Sequence, residues 1–108
     1  MATKAIKPGD LLIGAAAQAQ GFVSDEFASQ QSRSGQWAQN LEVQVYAEAG
    51  NSGFSVTVER SLDQSRGFQV VATITTGAIT RVNFNGGWFR VTIGTATGGP
   101  VTVIAVAS

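Results

Sequence analysis

Alternation of apolar and polar residues is the feature that most constrains the fold of this 108-residue chain. It begins near Leu41, where Leu41, Val43 and Val45 would share one face of an extended strand. The polar residues between them, Glu42 and Gln44, would share the other face. A period of two is typical of strands buried on one side only, and it continues up to the last predicted strand. The sequence therefore predicts an antiparallel β protein.

Clusters of Gly, Asn and Ser recur about every ten residues and predict turns between short strands. We expect six strands, at 41–48, 54–59, 68–74, 80–84, 89–93 and 101–107, with β-hairpins closed at 63–67, 85–87 and 94–99. The inward faces of these strands predict a core of Val43, Val45, Val56, Val58, Val70, Ile74, Val82, Phe89, Val91 and Ile93. The fold class that follows is a small antiparallel β-sandwich, immunoglobulin-like or jelly-roll-like.

The last predicted strand departs from strict alternation. Ile104 and Val106 are apolar on the face opposite Val103 and Ala105. A strand that is apolar on both faces is usually covered on both. Two interpretations remain open: a central strand of the sandwich, or burial beneath a neighbouring subunit or the N-terminal arm.

Residues 1–40 lack a clear period and are rich in Ser, Gln and Ala. A strand over 11–19 and a short helix over 25–31 are the elements this segment allows, and 24–40 otherwise reads as a long loop. We expect 1–40 to be an N-terminal arm with a first strand, partly irregular, attached to a sandwich formed by 41–108. The whole is one domain, and the arm is predicted to contact other subunits.

Composition excludes several classes of function. The formal net charge is zero and only 13% of residues are charged, so nucleic acid and anionic membrane surfaces are not expected partners. After Asp63 the only charged residues are Arg66, Arg81 and Arg90, and so sparsely charged a surface favours self-association. Neither a secretion signal nor a membrane span is expected from the apolar run 11–17.

Histidine and cysteine are both missing, which removes the commonest general base, metal ligand and thiolate nucleophile. Asp25 and Glu26 are the only adjacent acids, and with Asp10 they offer at most a set of oxygen ligands for calcium. Solvated loop charges are the simpler interpretation. We therefore expect no enzyme activity, no catalytic residues, no metal site and no cofactor.

Aromatic side chains offer the one candidate contact surface. Trp37, Tyr46 and Trp88, with Arg90, have the flat or charged groups that stack on sugars or anchor protein interfaces. By parity with Phe89, we expect Trp88 and Arg90 on the outward face. Packing of Trp88 over the rim of the sandwich is the structural alternative.

A resemblance to a known family lies in the second half of the chain. The run 56–63 (Val-Thr-Val-Glu-Arg-Ser-Leu-Asp) followed by 68–72 (Phe-Gln-Val-Val-Ala) resembles a strand pair in small virion proteins of tailed bacteriophages. The segments 87–91 and 98–101 are similar as well. Comparable runs occur in immunoglobulin-like and fibronectin-like modules. The matching positions are strand and turn residues, so no functional residue carries over.

The resemblance implies a non-enzymatic virion protein assembled in the host cytoplasm. We expect a capsid decoration or cementing component that self-associates or binds the capsid lattice. Its expected partners are other virion proteins, either the major capsid protein or tail components, and further copies of itself. The alternative is a receptor- or glycan-binding β-sandwich module of a tail fibre or adhesin.

Overall fold

The computed structural model describes residues 11–13, 17–28, 40–63, 66–83 and 86–108, and every regular element in them is a β-strand. The six strands expected after residue 40 are all present. Three further strands precede them, two in the region where one strand was considered and one where a helix was considered. The strands are β1 (Leu11–Ile13), β2 (Ala17–Gln18), β3 (Phe27–Ala28), β4 (Asn40–Ala47), β5 (Gly53–Ser61), β6 (Gln69–Ile74), β7 (Thr80–Asn83), β8 (Trp88–Thr97) and β9 (Val101–Ala107).

These strands form two antiparallel sheets, which confirms the predicted β-sandwich. The first sheet has the order β1-β9-β4-β7, and β2 also pairs with β9. The second has the order β3-β8-β5-β6. The long strands β8 and β9 are central in their sheets, so each has a partner strand along both edges.

The core lies between the sheets and is built from the inward side chains that the alternation predicted. Phe89 of β8 is its largest fully buried side chain. Eight of the ten predicted core residues are buried, and Val82 is half-buried against them. Four inward-facing residues of β9 and the first inward-facing residue of β4 complete the core: Val101, Val103, Ala105, Ala107 and Leu41.

The prediction for Val70 is wrong, because its side chain is 56% exposed. Val58 lies opposite Ala72 while Glu59 lies opposite Val70, so Val71 is an extra residue in β6. Such a β-bulge reverses the facing of all residues beyond it. Val70 therefore shares the outer face with Glu59.

The hairpins predicted at 85–87 and 94–99 are also wrong, whereas the one at 63–67 joins β5 to β6 as expected. β7 belongs to the first sheet and β8 to the second, so the chain through Gly86 and Gly87 crosses between sheets. β8 continues to Thr97, and the chain then crosses back into β9. Both connections are corners of the sandwich.

The corner between β8 and β9 is interlocked with the turn between β4 and β5. A side chain at Gly99 would place its Cβ 2.6 Å from the carbonyl oxygen of Ala49. The Asn51 side-chain amide donates to the Gly99 carbonyl oxygen at 2.8 Å. Glycine is required here because the two backbones touch.

The described part of the N-terminal segment completes one edge of each sheet. β1 and β2 pair with β9, and residues 21–28 then cross over to pair with β8. Ser24 substitutes for a strand residue in this ladder: its backbone N–H donates to the Val91 carbonyl, and its hydroxyl accepts from the Val91 N–H, both at 2.8 Å. The segment is thus fixed by these hydrogen bonds together with the partly buried Ile13, Phe22 and Phe27, which pack against the core.

Replacing Val91 by Ala should lower the free energy of unfolding by about 1–3 kcal/mol, because Val91 is fully buried and its loss leaves a cavity. Val70→Ala is the matched control, and its cost should stay within about 0.5 kcal/mol since Val70 faces solvent. Urea unfolding of both variants measures the difference. Equal costs would contradict the facing assigned to the two strands.

Ser24→Ala should cost about 1–3 kcal/mol, because the buried Val91 N–H loses its acceptor. Ser52→Ala is the control: its exposed hydroxyl makes one long hydrogen bond, 3.4 Å, to the Thr97 carbonyl. Hydrogen exchange at the Val91 amide should accelerate in the first variant only. Unchanged protection there would mean that the Ser24 hydroxyl does not stabilise β8.

Candidate contact surfaces

The outer face of the second sheet, called here the polar face, is built mainly from Thr57, Glu59, Thr73, Arg90 and Thr92, with the exposed Val23 and Val70 at its two edges. Its centre is an ion pair in which Arg90 Nε lies 2.6 Å from Glu59 Oε1. The Arg90 guanidinium also lies 4.2 Å from the centre of the Phe68 ring. Both charged side chains are largely shielded, with 30% and 13% of their side-chain surface exposed. The two charged groups are therefore already engaged, Glu59 by Arg90 and Arg90 by Glu59 and the Phe68 ring.

Trp88 opens β8 at one end of the polar face. It is half-buried, with Ser61 opposite it on β5 and Ala28 opposite it on β3. Phe89 beside it is fully buried, so alternation turns Trp88 and Arg90 outward together. Their shared face agrees with the expectation from parity.

The outer face of the first sheet, called here the apolar face, has a different character. Ile104 and Val106 of β9 lie half-buried at its centre. Around them three large apolar or aromatic side chains are exposed: Leu11 by 62%, Ile79 by 63% and Tyr46 by 45%. β9 is a central strand, as one interpretation proposed, yet within the part of the chain that the structure describes no element covers this face.

A shallow groove of about 170 Å³ runs along the apolar face, lined chiefly by Ile79, Ile104 and Val106 with the stems of Glu42 and Gln44. Gln44 is fixed by two hydrogen bonds: its amide donates to the Gly77 carbonyl at 3.1 Å, and its oxygen accepts from the Tyr46 hydroxyl at 2.8 Å. Glu42 pairs across strands with Arg81 at 3.3 Å. The polar groups at the groove thus satisfy one another and leave an apolar floor.

The four residues predicted as one contact surface do not lie together. Tyr46 is on the apolar face, near the turn between β4 and β5, whereas Trp88 and Arg90 are on the polar face, opposite the far end of β5. Trp37 lies outside the described residues. The structure therefore separates Tyr46 from Trp88 by the thickness and the length of the sandwich.

An open cleft of about 470 Å³ lies beside the hairpin loop after β5, and the sequence did not predict it. Its polar groups bond to one another. The buried Ser61 hydroxyl accepts the Asp63 N–H at 3.0 Å and contacts the Arg66 carbonyl oxygen, and Arg66 pairs with Asp63. Arg60 Nε donates to the Gly86 carbonyl at 2.8 Å. These contacts shape the loop rather than converge on the cleft.

Residues with catalytic or metal-binding chemistry are sparse. Within the described ranges no three acidic side chains lie close enough to hold a metal ion, and the chain has no His or Cys to add. Asp10, the third member of the calcium set considered above, lies outside those ranges. No helix among the described residues has the length and apolarity to cross a membrane.

Comparisons with known proteins bear on the fold. No family model and no curated protein sequence matches the chain. Among solved structures, the crystal structure of SPBc2 prophage-derived protein YomS is similar over 100% of this chain and 98% of that one, with a TM-score of 0.63. The two sequences are 11% identical, so the similarity is one of fold.

Arg90 should contribute more to stability than the other cross-strand arginine. Arg90→Ala removes a shielded ion pair and the contact with Phe68, and we expect a loss of about 1–2 kcal/mol. Arg81→Ala removes an ion pair whose arginine is 63% exposed, and its effect should stay below about 0.5 kcal/mol. Thermal unfolding of the two variants tests this. A negligible effect of Arg90→Ala would free Arg90 for the contact role predicted from the sequence.

Proposed function

We propose that this protein is a non-enzymatic structural component of a tailed-bacteriophage virion that decorates or cements the capsid. In this role it holds neighbouring proteins by surface contact and performs no reaction. Its partners are the major capsid protein and further copies of itself. Assembly takes place in the host cytoplasm.

The observation that carries the proposal is the apolar face. Soluble sandwiches cover or polarise the outer faces of their sheets, and contiguous exposed apolar side chains mark contact sites. Here Leu11, Ile79 and Tyr46 remain exposed around the half-buried Ile104 and Val106. Such a face suits a protein that functions by binding to other proteins. Among the described residues there is no comparable cluster of catalytic side chains.

Two independent similarities support a phage origin. The strand pair at 56–72 resembles small virion proteins of tailed phages, and the whole chain shares its fold with a prophage-derived protein. Fold similarity at this identity does not carry function by itself. The virion role rests on the combination of that fold with the apolar face.

The second candidate is a receptor- or glycan-binding module of a tail fibre or adhesin. The neighbouring Trp88 and Arg90 favour it, because an outward indole beside a guanidinium suits sugar stacking. Against it, Trp88 is half-buried, Arg90 is occupied by Glu59 and Phe68, and Tyr46 lies on the other sheet. The arrangement therefore favours lattice contact over glycan binding.

Quantitative mass spectrometry of phage particles that carry this gene, with heads and tails separated after washing in high salt, tests the proposal. We expect the protein in the head fraction at a copy number comparable with that of the major capsid protein. A non-structural protein of the same phage serves as the carry-over control. A few copies confined to tails would favour the fibre module, and depletion to the level of the control would refute a virion role.

A further inference from the structure

The apolar face is self-complementary, and we infer that two copies of this chain pair through it about a two-fold axis, with Leu11 of each copy seated in the groove of the other. This inference deepens the proposed function, since it names the surface by which a decoration protein associates with itself. The biological role of the pairing rests on the proposed function, whereas the pairing itself is inferred from the geometry of the face.

The projecting side chain and the groove lie on opposite sides of the same strand. Leu11 belongs to β1, which pairs with one edge of β9, and its register opposite Val106 places it on the outer face. The groove lies towards the other edge of β9, between β9, β4 and Ile79. A two-fold axis that runs parallel to β9, in the plane between the two paired faces, exchanges these two positions. In such a pairing residue i contacts j and j contacts i, so one projection and one groove suffice for both copies.

The size of the groove fits the proposed occupant. A volume of about 170 Å³ holds one branched aliphatic side chain, not a drug-sized molecule, for which pockets of about 300 Å³ or more are usual. Leu11 is the exposed aliphatic side chain on the far side of β9. Its transfer into a groove floored by Ile104 and Val106 removes apolar surface from water on both copies.

The charges on this face permit self-pairing. Glu42 and Arg81 are opposite in sign and already bonded to each other. The face is therefore neutral, and a second copy meets no like-charge repulsion. A strongly basic or acidic partner would gain no electrostatic binding energy from this face, because the face carries no unbalanced charge.

The area of the face sets the expected strength. Four strands spaced about 4.8 Å apart, with about 3.4 Å per residue along β9, give a face of roughly 15 by 24 Å. This is smaller than the roughly 800 Å² per partner of a standard stable interface. Pairing should therefore be weak and should depend on concentration in the free protein, becoming stable where a lattice holds copies close together.

Sedimentation velocity of the full chain, in the absence of capsids, tests the pairing. We expect a shift from monomer to dimer between about 1 µM and 1 mM, the range typical of small interfaces. Leu11→Glu and Ile79→Glu should each weaken dimerisation at least ten-fold. Val70→Glu is the matched control, because Val70 is exposed to a similar degree, 56%, but lies on the polar face. Circular dichroism at low concentration checks that all three variants are folded.

A cross-link tests the geometry separately, and the cysteine-free chain makes it clean. An equimolar mixture of Leu11→Cys and Ile79→Cys proteins should form the mixed disulfide under mild oxidation in preference to either homodimer. A mixture of Val70→Cys and Ile79→Cys proteins should not. A wild-type protein that stays monomeric throughout, equal disruption by Val70→Glu, or no preference for the mixed disulfide would overturn the inference. None of these results would alter the virion assay, so failure of the pairing and failure of the proposed function remain distinguishable.

Discussion

Burial of alternate side chains between two sheets is the interaction on which the rest of this protein depends. With no cysteine in the chain, no disulfide stabilises the fold. Stability rests on the layer around Phe89, to which β8 and β9 contribute from the centres of their sheets. Because both strands have partners on both edges, they position β1, β2 and β4 in the first sheet and β3 and β5 in the second. The outer face of each sheet is then the side that points away from this buried layer.

The N-terminal edges of the sandwich combine backbone hydrogen bonds with partial apolar packing. β1, β2 and residues 21–28 contribute few fully buried side chains, yet they occupy one edge of each sheet. Backbone hydrogen bonds and the Ser24 hydroxyl attach them, and Ile13, Phe22 and Phe27 pack against the core, so a few apolar side chains suffice without a strict period. An unpaired edge of β8 or β9 would otherwise present a row of free N–H and C=O groups to other chains. The same edge strand brings Leu11 onto the apolar face.

Local pattern in the sequence predicted what depends on neighbouring residues and missed what depends on distant ones. Alternation identified the strands and most of the core, because facing within a strand is a local property. It failed at Val70, since the bulge at Val71 follows from pairing with β5. Glycine clusters predicted where the chain reverses but not which sheet it enters next, so two sandwich corners were taken for hairpins. For the surfaces, Ile104 and Val106 were visible as a break in alternation, whereas Leu11 and Ile79, in an edge strand and a turn, gave no signal.

The contrast between the two outer faces argues that the apolar one has a purpose. At the centre of the polar face, between the exposed Val23 and Val70 at its edges, threonines and the Glu59–Arg90 pair satisfy strand propensity and hydration together, which shows that this chain can build a solvated sheet surface. The outward positions of β9 needed only the same residue types, since threonine favours strands as valine and isoleucine do. Thr102 already stands at one of them, where it is buried and its hydroxyl donates to the Glu48 carboxylate. The folded core gains little from Ile104 and Val106 on the outside, while exposed apolar strands carry a risk of aggregation. Their presence on this face therefore supports the proposed pairing with a second copy.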